Sequence, residues 1–180
     1  MSNSLFLGAD AQIRQALQQL RAQEGGAPIS GEITGINDDI FLSNDPAANV
    51  TGDYTSGREN LISLKMQPAG AETPRWQALH LRMGACDLGN AGVIGFVARS
   101  QSPSAMITRA CLRSGRDGQF QDTFFTKAIA SFATPSTHLD AIDLDTAGDI
   151  PRTADWREFI LFFRPGPVDI DLLDLRPFVV

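Results

Sequence analysis

Ile13, Ala16, Leu17 and Leu20 fall at i, i+3, i+4 and i+7, the apolar stripe of a helix over residues 10–23. Asp10 stands where such a helix is capped, and Gly25-Gly26 where it stops. At about four turns the helix is marginal on its own, so its stripe must lie on the main domain or on a partner chain. From 28 to 53 the pattern breaks up into Gly, Asn, Asp and Thr, with 29–36 and 39–42 as short strand candidates. Then a period of two takes over. Segments 60–67, 75–83, 92–99, 105–113, 122–132, 137–144, 157–164 and 168–179 all read as strands, separated by turn clusters such as PAGAETP and RSGRDGQ.

The alternation also assigns faces. Ile62, Leu64 and Met66 point away from Ser63, Lys65 and Gln67, and Leu79, Leu81 and Met83 point away from Trp76, Ala78, His80 and Arg82. One side of that sheet is therefore wetter than the core. In 157–164, Phe159, Leu161 and Phe163 share one face and Ile160 and Phe162 the other, with Trp156 among them. This predicts a central strand covered on both sides and places Trp156 in the core. Pro165-Gly166-Pro167 then reads as a reversal into Val168, Ile170 and Leu172, a terminal hairpin. So many strands with no helical pattern between them predict a mainly β chain: a helical segment at 1–27, then an antiparallel β-sandwich at 28–180.

Composition narrows the function classes. The chain has 180 residues, 43% hydrophobic, with a formal net charge of −6 and no long basic run, so nucleic acid is not an expected partner. Leu5, Phe6 and Leu7 form the early apolar stretch without a basic region before it, which predicts no signal peptide and synthesis in the cytoplasm. Incorporation into a virion-like or extracellular particle fits that expectation. No run reaches membrane-spanning length, so membrane insertion is not expected. Cys86 and Cys111 are far apart without a CxxC spacing, so they read as packed thiols, with a single disulfide as the alternative.

Trp156, Phe159, Leu161 and Phe163 in one strand, followed by Asp174, Leu175 and Phe178 in the last, form a pattern that resembles the jelly-roll sandwiches of the galactose-binding-like carbohydrate-binding modules. The strands from 60 onward share that family's rhythm. The resemblance implies a jelly-roll topology and non-catalytic binding of a cell-surface or extracellular polysaccharide. It also implies a structural Ca2+ between an early loop and the last strand, which would pair Asp38 or Asp39 with Asp174. Those acidic residues read equally well as turn formers.

A sugar site needs an aromatic face for the C–H side of the ring and forked polar groups for its hydroxyls. Trp76, Tyr54, His80 and Arg82 are the candidate set, the alternative being that Trp76 fills the core edge and the others solvate a face. Arg82, Arg99, Arg109 and Arg113 lie in the middle strands, and Arg109 and Arg113 share a face through Cys111. If these faces coincide they make a basic stripe suited to an acidic polysaccharide; otherwise they pair with Asp87, Asp117 and Asp122. No GxSxG, HExxH or P-loop occurs, so an enzyme is not expected. Two other readings stand beside the sugar binder: a structural or adsorption subunit of a phage-like particle, oligomerising through the 10–23 helix, and a polysaccharide hydrolase or lyase.

Overall fold

The computed structural model describes residues 8–180, so the apolar stretch at 5–7 lies outside the described residues. Helix α1 (Ala11–Ala22) leads into twelve strands: β1 (Gly25–Ile29), β2 (Ile33–Gly35), β3 (Ile40–Asn44), β4 (Val50–Ser56), β5 (Ile62–Pro68), β6 (Gln77–Gly84), β7 (Val93–Gln101), β8 (Met106–Arg116), β9 (Gln119–Ser131), β10 (Ser136–Asp143), β11 (Trp156–Phe163) and β12 (Val168–Val179). They form two six-stranded sheets, β1-β4-β5-β12-β7-β10 and β2-β3-β6-β11-β8-β9, with antiparallel neighbours throughout. From β5 onward the chain alternates between the sheets except at the β8–β9 hairpin, which is the jelly-roll path expected.

The inward faces of both sheets close on one core, which includes Ile62, Leu64, Leu79, Leu81, Phe96, Phe159 and Leu161. Strand β11 is central, as its two apolar faces predict. Phe159, Leu161 and Phe163 enter the core, while Ile160 joins Ala78 and Cys111 in a second cluster on the outer side, with Phe162 packed against it. The expected terminal hairpin is not formed. Strand β11 pairs with β6 and β8, and β12 with β5 and β7, so Arg164-Pro165-Gly166-Pro167 carries the chain from one sheet to the other. A turn sequence specifies a reversal; the pairing partner is decided by which strands must cover each apolar face.

Helix α1 buries Ile13, Ala16, Leu17 and Leu20 in this same core, so its apolar stripe is taken up within the chain rather than left for a partner. The Asp10 side chain makes no capping hydrogen bond; it pairs with Arg14 at 3.2 Å. Gly25 and Gly26 do not end the helix but open β1, which also spans the expected boundary at residue 27. A Cβ on Gly26 would meet the Tyr54 carbonyl oxygen at 2.7 Å, so glycine here allows β1 to lie against β4.

Cys86 and Cys111 are both free and buried, as expected of packed thiols. Burial pushes Cys86 up to about 11 and Cys111 up to about 12. Neither should react with a thiol-specific reagent at neutral pH in the native protein, and both should react once it is denatured; native labelling of either would contradict this packing.

Candidate functional site: an aromatic and arginine face

The outer side of the β2-β3-β6-β11-β8-β9 sheet gathers most of the expected site. Strand register lines up Phe41, His80, Ile160, Cys111 and Phe124 across β3, β6, β11, β8 and β9, a row of about 19 Å at normal strand spacing. The adjoining row carries Arg82, Glu158, Arg113 and Asp122. Phe162 and Arg109 stand opposite each other on the far side of the aromatic row. Alternation put Arg82 and Arg109 on unconnected strands in the sequence, and β11 between them makes one surface of both.

Each arginine lies against a phenylalanine ring. The guanidinium carbon of Arg82 is 5.1 Å from the centre of Phe41, that of Arg109 is 4.1 Å from Phe124, and that of Arg113 is 4.2 Å from Phe120. Arg82 also donates to the Asp38 carbonyl, and Arg113 donates twice to Asp122, at 2.6 and 2.7 Å. The Arg113–Asp122 pair is the ordinary pairing that the sequence left open as an alternative. The Arg109 guanidinium forms no hydrogen bond or ion pair with a described residue. His80 is nearly buried, stacked on Phe41 with ring centres 4.7 Å apart, and its Nδ1 is 2.9 Å from Glu158 Oε2.

Trp156, expected in the core, is instead 39% exposed on this face. It pairs with Gly115 on β8, and a Cβ there would run into Cε2 and Nε1 of the indole. The missing side chain lets the ring lie down on the strand and turn its other side outward. Beside it a cleft of about 170 Å³ is lined by Gln12, Arg82, Gly84, Trp156, Arg157 and Glu158. One sequence signal marks this arrangement: Arg157, a charge at a core-facing position, shares the parity of Phe159 and shows that the strand leaves the apolar pattern at Trp156.

Trp76 reaches the same face but is half-buried. Its indole N–H donates to Ser43 Oγ at 3.1 Å, and the Arg75 guanidinium carbon lies 5.0 Å from its ring centre. Arg75 in turn is held by Asp45, whose carboxyl it keeps well below the ordinary value of 3.8, first through the side-chain hydrogen bonds and then through its backbone N–H. In the unfolded chain Asp45 regains its ordinary value. The stability from this pair is therefore complete above about pH 5 and is lost as the pH falls through the lowered folded value. Asp45→Asn, which keeps an acceptor for the Ala47 N–H, should be less stable than wild type at pH 7 and lose less on acidification, as read by thermal denaturation. Parallel acid limbs for the two proteins would contradict the pair's role.

Two other expectations do not hold. Tyr54 lies in strand β4 of the other sheet, not in a loop, and its side chain is buried in the core, 7% exposed. Arg99 is exposed on β7, also in the other sheet, so the stripe is formed by Arg82, Arg109 and Arg113 without it. The calcium pairing is not made either. Asp39 accepts from Gln12 near the start of α1, and Asp174 pairs with Arg21 near its end, roughly 13 Å of helix away. Both oxygens of Asp174 are taken by Arg21 and Arg176, and the Asp38 carbonyl by Arg82. Among the described residues no group of three or more His, Cys, Asp and Glu side chains is placed to hold a metal ion.

No protein-family model and no curated protein sequence matches this chain. Solved structures do. The xylan-binding domain CBM22-1 of Paenibacillus barcinonensis Xyn10C aligns with a TM-score of 0.52 at 12% identity, over 88% of this chain and 98% of that one. The family 11 carbohydrate-binding module of the cellulase Lic26A-Cel5E of Clostridium thermocellum aligns at 0.49 and 12% identity, over 88% and 97%. The family GH12 endoglucanase 3 of Trichoderma harzianum aligns at 0.45 and 11% identity, over 89% and 99%. At such identities the likeness is one of fold: the chain carries the jelly-roll β-sandwich also found in carbohydrate-binding modules, as the resemblance in its last strands implies.

Proposed function

We propose that the aromatic and arginine face binds a polysaccharide, and that Arg82 and Arg109 favour chains carrying carboxylate or sulfate groups. The observation that carries this reading is the Trp156 indole laid on Gly115, exposed beside Arg82 and Glu158 at the edge of a cleft. A flat aromatic surface meets the C–H side of a sugar ring, while the charged groups around it meet hydroxyls and acidic substituents. The xylan-binding domain of Paenibacillus barcinonensis Xyn10C is an example of this fold put to such a use.

Hydrolysis finds less support on the same face. Glycosidases use a carboxyl pair in which one member delivers a proton to the leaving oxygen. Glu158 and Asp122 are the carboxylates on this surface, two strands apart. Asp122 has both oxygens engaged by Arg113, and Glu158 is paired with His80. Asp122 thus orients Arg113, and Glu158 orients His80.

The test is a panel of immobilised neutral, uronate-bearing and sulfated polysaccharides. Binding is expected to be stronger for the acidic chains and to weaken with salt, and Arg109→Ala should remove most of that preference, since its guanidinium makes no hydrogen bond or ion pair with a described residue. Binding to no member of the panel would overturn the reading; preference unchanged in Arg109→Ala would overturn the arginine's role in it.

A further inference from the structure

Two arginines close on one carboxylate on the outer side of the other sheet, and a third stands beside them. Asp174 on β12 accepts from Arg21 Nη2 at 2.7 Å and from Arg176 Nε at 2.8 Å, one on each oxygen. Its cross-strand partner on β7 is Arg99, whose side chain therefore rises on the same face within reach of the pair. The Arg99 guanidinium makes no hydrogen bond or ion pair with a described residue. Two open troughs of about 300 and 390 Å³ meet here and share Arg21, Asp174 and Arg176; Arg99 and Glu59 line the second.

Three guanidiniums against two carboxylates leave this spot positive in a chain whose net charge is −6. Like charges on neighbouring strands repel, and Asp174, already shared by Arg21 and Arg176, offsets that only in part. Asp174 engages Arg176 through Nε alone, so both terminal nitrogens of a side chain that is 78% exposed stay available. Guanidinium groups gathered in this way match the two oxygens of a planar or tetrahedral oxyanion. We infer that Arg99 and Arg176, with Arg21 behind them, form an anion subsite that takes a carboxylate or sulfate group. The site is on the opposite sheet from Trp156 and does not depend on polysaccharide binding there.

The experiment follows the arginine Nε–Hε signals of the whole protein by NMR during titration with sodium sulfate, with trigalacturonate and with neutral maltotriose at matched ionic strength. Saturable shifts of Arg99 and Arg176 are expected with sulfate, trigalacturonate or both, and none with maltotriose. Response to both anions means that the charged group alone suffices; response to trigalacturonate alone means that the group is read on a sugar chain. Arg99→Ala should weaken binding about tenfold, the loss of one charge-assisted contact, without lowering the melting temperature, because its guanidinium makes no hydrogen bond or ion pair among the described residues. Trp156→Ala should leave this binding intact. The inference is overturned by the absence of saturable shifts with either anion, by equal affinity in Arg99→Ala, or by loss of the shifts in Trp156→Ala, which would place the anion on the other sheet.

Discussion

Trp156→Ala is expected to weaken polysaccharide binding by about 2–3 kcal/mol, the loss typical of an aromatic anchor at the centre of a contact, or roughly 30- to 150-fold in Kd. The melting temperature should change little, since the ring lies outside the core on the surface of β8. Gly115→Val gives an independent version of the same result. It keeps the tryptophan but puts side-chain atoms where the indole rests, so the ring must tilt up and lose its platform. Trp76→Ala provides the contrast: its N–H is satisfied by Ser43 and Arg75 lies over its ring, so the loss should stay below about threefold. Isothermal titration with the best-bound oligosaccharide measures all three. Equal losses for Trp76→Ala and Trp156→Ala would mean that the binding surface is centred elsewhere on the face.

Arg157→Ala should cost about 3–5 kcal/mol of folding stability, from two carbonyls and a hydroxyl left unpaired at roughly 1–3 kcal/mol each, and lower the melting temperature by roughly 10 °C. Arg157 is fully buried yet holds no carboxylate among the described residues. Its Nε donates to the Cys86 carbonyl at 3.0 Å, and its two terminal nitrogens to Ser114 Oγ and the Pro151 carbonyl. Burial lowers its pKa, but a guanidinium keeps its proton at neutral pH all the same. The charge is therefore stabilised by carbonyl dipoles, and it ties the segments around residues 86 and 151 to strands β8 and β11. Truncation would leave two carbonyls and a hydroxyl unpaired around a cavity. A shift of only a degree or two on denaturation would mean that water takes over these contacts without loss.

The period-two pattern carried most of the architecture. Strands from β5 to β12 sit within a few residues of where alternation puts them, because each has one face in a shared core and one outside it. Strands β1 and β4 were not legible. GGAPI and VTGDYTS have no apolar alternation to read, and they are strands because each has a partner in register. The Arg-Pro-Gly-Pro segment was misread for a related reason: pairing across sheets depends on the whole chain, whereas a turn signal is local.

The site was legible by parity and not by proximity. His80 with Arg82, and Arg109 with Arg113, are same-face pairs that any strand enforces, and only the strand order brings them onto one surface. Parity also groups Tyr54 with Val50, both buried, and the loop-like sequence around Tyr54 concealed that strand. Trp156 was hidden by its apolar neighbours. Its exposure follows from Gly115, forty-one positions earlier in the chain but directly opposite in the sheet, together with the register shift between Arg157 and Glu158.

The most direct test of the binding face is a backbone and indole chemical-shift map of the Arg99→Ala variant with the best-bound oligosaccharide, a variant in which the arginine cluster on the other sheet is weakened. The account predicts saturable shifts at the Trp156 indole N–H and along β6, β8 and β11, fading toward β12 and β5. Shifts confined to other surfaces, or none at saturating ligand, would contradict it.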